Sequence, residues 1–218
     1  MDWRLFERIC NAPGVPGHED AAQAIVAEVL GACCNDVRRD RMGNVIGLRK
    51  AARRGRKRSR PRRVVLAAHV DEIGMLVKHM DERGFIAVHP VGGLVNQVLV
   101  SQRVIIHGRQ PVRGAIVPDM KDIKDKVPAL TDLRIDTGLS REALAELVEI
   151  GDPITFDSPV ERLNEHCYIG RNFDNRLGVY CMLEAMRLAG PLAVDAYAVG
   201  TVQEEVGVRG AGPAAFAI

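Results

Sequence analysis

Three short stretches of this 218-residue chain carry side chains suited to metal-assisted hydrolysis. In AAHVDEIGM, His69 closes an apolar run and Asp71 follows two residues on, so both side chains can project to one side of an extended backbone. An imidazole at that position can bind a metal, and a carboxylate nearby can orient it and raise its basicity. In GRNFDNRLG, Asp174 sits in a glycine-flanked loop just ahead of a helical pattern. In TVQEEVGVRGAG, Glu204 and Glu205 follow a strand-like apolar run. Neighbouring carboxylates repel one another unless a cation or a proton compensates.

Taken singly, each motif has an ordinary structural role. A histidine can cap a strand, an aspartate before a helix can be its N-cap, and a glutamate pair can be a solvated turn. Taken together they stand at the open end of one expected sheet, which is where open α/β sheets bind ligands. Histidine and carboxylates without cysteine suit zinc, cobalt or manganese. A free carboxylate beside them suits hydrolysis by an activated water.

The elements that must position these residues can be read from the hydrophobic pattern. Residues 2–10 read as a short helix with Leu5, Phe6 and Ile9 on one side, broken by NAPGVPG. Residues 19–30 read as a second helix, with acids in the first turn and Gly31 after its end. Strand-like runs follow at 43–48 and 64–69. The second, VVLAAH, is almost wholly apolar and is expected to be buried on both faces of a helix-covered sheet. From about residue 76 the texture changes to short alternating runs separated by turns such as DERG and VGG, which is all-β punctuation. It ends near the helical SREALAELVE and the turn GDP. A loop, a helix at about 176–189 and the strand AVDAYAVGTVQ then restore the α/β pattern. The expected organisation is an α/β domain made of residues 1–75 and 165–218, interrupted by a small β domain at 76–164.

Composition narrows the function classes. Hydrophobic residues make up 47% and charged residues 27%, a globular balance. Only 4% is aromatic, which argues against a base-stacking nucleic-acid surface. The start, MDWRLFERIC, is charged from its second residue and does not read as a signal peptide, and no run approaches the ~20 apolar residues of a membrane span. The five cysteines (Cys10, Cys33, Cys34, Cys167, Cys181) are odd in number and form no C-x-x-C pair, so a reducing cytoplasm is the expected location. Cys33 and Cys34 are read as packing residues. Ten of the 30 basic residues lie in the tract 49–63, leaving 20 against 28 acidic ones elsewhere. The tract could contact nucleic acid, but it lies between two strand-like runs and reads better as a solvated hairpin loop. No nucleic-acid or membrane partner is expected.

Along nearly its whole length the chain resembles the glutamyl/deblocking aminopeptidases, the di-metal family that includes large tetrahedral shells and members labelled cellulase or endoglucanase. The motifs NAPGVPGHED, GNVIG, AAHVDEIGMLV, GGLVNQVLVSQRVIIHG, LRIDTGLSREALAELVEIGDPITF, GRNFDNRLG and TVQEEVGVRGA carry the resemblance in order. It implies a phosphorylase/hydrolase-like α/β sheet with helices on both faces, here truncated, plus an inserted small β-barrel-like domain for oligomerisation and substrate access. It also implies a homo-oligomer, peptide substrates and two divalent metal ions, zinc or cobalt, with manganese a further candidate.

Residue by residue, the resemblance makes His69 a ligand of one metal, Asp174 a bridge between the two, and Glu205 a ligand of the other. Glu204 becomes the general base and Asp71 the carboxylate that steers His69. The Asp174–Asn175 peptide is expected to be cis. The family's remaining two ligands, an Asp and a late His, would fall beyond Ile218, so weak metal occupancy and little activity are expected of these 218 residues alone. A non-catalytic truncated subunit or assembly protein of the same family is the alternative. Endoglucanase activity is a weaker reading, because glycosidases need two carboxylates flanking the sugar bond, whereas here a His and a loop Asp complete a metal-type set.

Overall fold

A computed structural model describes residues 2–52, 62–119 and 127–218. In chain order its elements are α1 (Trp3–Asn11), α2 (Asp20–Gly31), β1 (Asp36–Arg39), β2 (Val45–Arg49), β3 (Arg63–His69), β4 (Gly74–Met80), β5 (Ile86–Val91), β6 (Arg103–His107), β7 (Pro111–Pro118), β8 (Leu133–Asp136), α3 (Arg141–Leu147), β9 (Pro153–Phe156), β10 (Glu161–Arg162), β11 (Tyr168–Ile169), α4 (Phe173–Leu188), β12 (Asp195–Thr201) and α5 (Ala211–Phe216). They divide into two compact units, Met1–Glu72 with Val160–Ile218, and Ile73–Pro159. Most of the basic tract, residues 53–61, lies outside the described residues.

The first unit is a four-stranded sheet in the order β1-β2-β12-β3. Helix α1 begins at Asp2, whose carboxylate accepts the Leu5 N–H at 3.2 Å, and it buries Leu5, Phe6, Ile9 and Cys10 along one stripe. Helix α2 turns Ala22, Val26, Val29 and Leu30 inward, and α4 does the same with Val179, Met182, Leu183 and Met186. These three helices share a core with Ala196 and Ala198 of β12. The alternate residues of that strand, Tyr197 and Val199, pack with Ile46 and with Ala214 of α5 on the opposite face. Helices therefore cover both faces of the sheet, as the sequence pattern suggests.

Strand β3 corrects one expectation. Val64, Val65 and Leu66 are exposed, at 44%, 46% and 36%, and only Ala68 and His69 are buried. The reason is topological. Among the described residues β3 pairs only with β12 and forms the end of the sheet. An apolar run reports a preference for burial, not whether a neighbour stands on each side.

The second unit is a closed antiparallel barrel in the order β4-β5-β8-β7-β6-β9. Its interior is filled by alternate residues such as Met75 and Val77 of β4, Val104 and Ile106 of β6, and Leu133 and Ile135 of β8. Helix α3 is capped by Ser140, which accepts the Ala143 N–H, and contributes Leu144 to the same core. Closure leaves the barrel no open strand edge. Among the described residues no helix is long and apolar enough to cross a membrane.

Candidate metal centre

Parallel pairing of β3 with β12 sets His69 opposite Thr201. The chain leaves both strands at the same end, so Asp71 on one side and Glu204 with Glu205 on the other emerge together. Asp174 arrives from the start of α4, where it and Asn175 have non-helical backbone angles and the peptide between them is cis. Asp174 is not that helix's cap. Its side chain is 90% exposed and its Oδ1 lies 3.1 Å from His69 Nε2.

The imidazole is held from behind. His69 Nδ1 faces the Asp71 backbone carbonyl at 3.2 Å and the Asp71 carboxylate at 3.6 Å. Both are acceptors, so Nδ1 carries a proton, while Nε2 faces the cleft. Nε2 meets Asp174 and, at 3.8 Å, Glu204 Oε2. Ligand atoms of His69, Glu204 and Glu205 all lie within 4.8 Å of one another. The neighbouring cleft, about 270 Å3, is lined by residues that include Ala68, His69, Asn175, Thr201, Glu204 and Val208.

Charge accounts for how these groups titrate. Burial opposes protonation of His69, but Asp71, then Asp174 and Glu204, outweigh it and raise its pKa to about 9. Burial likewise opposes ionisation of Asp71. Its contact with His69 and the backbone N–H groups of Glu205 and Glu204 nevertheless hold it below the ordinary carboxylate value. Burial pushes Glu205 upward; His69 opposes this, while Asp71, Glu204 and Asp174 add to it. The pocket therefore concentrates carboxylates around a single imidazole.

These residues fit a divalent metal. The donors are one imidazole nitrogen and several carboxylate oxygens, with no thiolate, which is the set preferred by zinc, cobalt and manganese. Buried Asp71 Oδ1 lacks a hydrogen bond of normal length and stands behind the imidazole, as expected for a carboxylate orienting a ligand histidine. Asp174 touches His69 but is not part of the tighter His69–Glu204–Glu205 group. Glu204 belongs to that group, its Oε2 lying 3.8 Å from His69 Nε2.

Sequence reasoning missed the residues beneath this layer. Glu72 is 1% exposed; it accepts the Gly14 N–H at 3.0 Å and pairs with Arg171, and Arg176 Nη2 lies 3.9 Å away. Arg171 also donates to the Asn11 carbonyl at 2.8 Å, and Arg176, fully buried, donates to the Ile9 carbonyl. These bonds tie the loop that carries Asp174 and the start of α4 to the end of α1 and the turn NAPGVPG. The available signal was an acid beside Asp71 and two arginines flanking Asp174.

The M42 glutamyl aminopeptidase family model matches residues 43–218, and the chain belongs to that family. It is 34% identical over 228 residues to a lysyl aminopeptidase of Pyrococcus furiosus, covering 100% of this chain and 64% of that protein. Among solved structures, an aminopeptidase from the archaeon Desulfurococcus kamchatkensis superimposes with a TM-score of 0.91 at 34% identity, covering 98% of this chain and 59% of that one. A Pyrococcus horikoshii TET1 peptidase, described as able to assemble into a tetrahedron or a large octahedral shell, gives a TM-score of 0.85 at 26% identity. It is covered to 64%, against 98% of this chain. The chain thus spans about three fifths of the length of these relatives.

Proposed function

We propose that this chain carries part of the hydrolytic centre of a metal-dependent aminopeptidase that removes the N-terminal residue from peptides. The observation that carries the reading is the convergence of His69 Nε2, Asp174, Glu204 and Glu205 at the end of the β3–β12 pair, with Asp71 behind the imidazole. In this reading His69, Asp174 and Glu205 are metal ligands, for two ions of zinc or cobalt, with manganese also suited. Such ions, when bound, make water more acidic and polarise the scissile carbonyl.

The chain's own residues supply the rest. Asp71 keeps the proton on His69 Nδ1 and so presents the Nε2 lone pair to the cleft. Glu204 takes a proton from water at its carboxylate and holds it for the departing amine. The acids crowded at this sheet end also attract a peptide's free α-ammonium group, which favours cleavage at the N-terminal residue. The first unit serves as the catalytic domain. The barrel is proposed to support assembly into a homo-oligomer and to limit substrate access, in line with the shell described for the Pyrococcus horikoshii relative. The cysteines, all free thiols, fit a cytoplasmic location.

The test is metal analysis and hydrolysis of an aminoacyl anilide, on these 218 residues and on a chain extended to the relatives' length. The expected result is weak metal uptake and little turnover for the short chain, and both restored in the long one. An extended chain that is metal-free and inactive would refute the reading.

A further inference from the structure

We propose that Asn44, by bridging Val202 and Gly210 with its side-chain amide, is a positioning residue that sets where Glu204 and Glu205 stand. This rests on the reading of those two glutamates as working carboxylates. The motif GNVIG that contains Asn44 supplies no side chain to the proposed metal centre.

The geometry is specific. Asn44 is fully buried. Its Oδ1 accepts the Val202 N–H at 3.0 Å, and its Nδ2 donates to the Gly210 carbonyl at 3.0 Å and to Asp40 Oδ2 at 2.7 Å. The Gly210 N–H returns to the Val202 carbonyl at 3.1 Å. The amide therefore acts as one more peptide unit across the neck of residues 202–210, and its partners fix which atom is oxygen and which is nitrogen. Asp40 holds the amide in turn, and its other oxygen accepts the N–H groups of Met42, Gly43 and Asn44. A Cβ on Gly210 would lie 2.5 Å from Asn44 Oδ1 and 2.4 Å from the Val202 carbonyl, so the neck closes only around a glycine.

The loop needs such a clamp. Gln203 and Val208 have φ of 57° and 54°, a left-handed conformation that is costly for these residues, above all for a β-branched valine. Backbone of this kind persists where its surroundings over-determine it. Here three side chains from separate elements accept N–H groups of the loop. Asn44 takes Val202, Glu19 takes Gln203 at 3.1 Å, and Asp71 takes Glu205 at 2.9 Å. Of the three, only Asn44 grips both ends of the loop.

The experiment is amide hydrogen exchange by NMR on the 218-residue chain, comparing wild type with Asn44→Asp and Gly210→Ala. Aspartate would turn an acceptor toward the Gly210 carbonyl and Asp40; alanine would push the amide away from the other side. In each variant the Glu205 N–H, whose own partner is Asp71, should lose protection on the order of tenfold, the factor one lost hydrogen bond corresponds to. Tyr197, in the middle of β12, should keep its protection. Unchanged protection at Glu205, or a loss no larger than that at Tyr197, would overturn the proposal. If Asn44→Asp does not fold, Gly210→Ala decides by the same criterion. A separate titration with Mn2+ tests the underlying reading. In a chain extended to the relatives' length, weaker uptake by the loosened variants supports it, and an extended chain without these substitutions that takes up no Mn2+ counts against that reading and leaves the exchange result standing.

Discussion

Asp71 Oδ2 accepts the Glu205 backbone N–H at 2.9 Å, so the carboxylate behind His69 also anchors the acid loop. One buried side chain thereby links the two halves of the site, which leave adjacent strands. Asp71→Asn should disturb both. A neutral amide no longer stabilises the imidazolium, so the His69 pKa should fall from about 9 by more than one unit, roughly 1.4 kcal/mol per unit. Imidazole titration by NMR measures this, and an unchanged pKa would refute the assigned pairing.

His69 also makes the metal-free protein sensitive to pH. Its folded pKa, about 9, lies above the ordinary value of 6.5. Its contribution to stability is therefore complete below pH 6.5 and is lost as pH rises through 9. With chelator present, the urea midpoint of wild type relative to His69→Gln should decline across that window. A difference that stays constant from acid to alkali would show that folding leaves the His69 pKa unshifted.

Glu204 and His69 should separate by substitution. In a chain extended to the relatives' length, Glu204→Gln should retain metal while turnover falls about 10²–10⁴-fold, the usual weight of a general base. His69→Ala should lose metal and turnover together. Elemental analysis beside anilide hydrolysis distinguishes them. If Glu204→Gln loses metal as His69→Ala does, Glu204 is a ligand, as its proximity to His69 and Glu205 allows.

The Glu72–Arg171 pair predicts a stability effect distinct from chemistry. Arg171→Met leaves a carboxylate that is 1% exposed without its closest cation and should cost roughly 3–5 kcal/mol, as breaking a buried pair typically does. Denaturant unfolding is the measurement. A cost below about 1 kcal/mol, the range of exposed pairs, would mean that Arg176 alone compensates Glu72.

Much of this architecture is legible in the sequence because period and punctuation are local. The alternating runs after residue 76 became barrel strands, and the helix expected at about 176–189 corresponds to α4 (Phe173–Leu188). His69, Asp174 and Glu204 stood out because ligand chemistry restricts residue type. The exposure of Val64 to Leu66 was not legible, since an apolar strand reads alike at the centre of a sheet and at its end. Nor was the role of Asn44. Its partners lie 158 and 166 residues away, and an asparagine after a glycine reads as a turn.

The antiparallel pairing of β4 with β9 sets Met75 beside Ile154. The barrel's first and last strands are therefore neighbours, and its entrance and exit lie close together. For β3 and β12 to meet before the barrel forms, a long intervening chain must be closed, at an entropic cost that grows with its length. Once the barrel has formed, the part of that stretch from Ile73 to Pro159 acts as a short connector. The order of folding events thus decides how hard the sheet is to assemble, and an insert of another size whose ends met as closely would leave the β3–β12 pairing just as accessible.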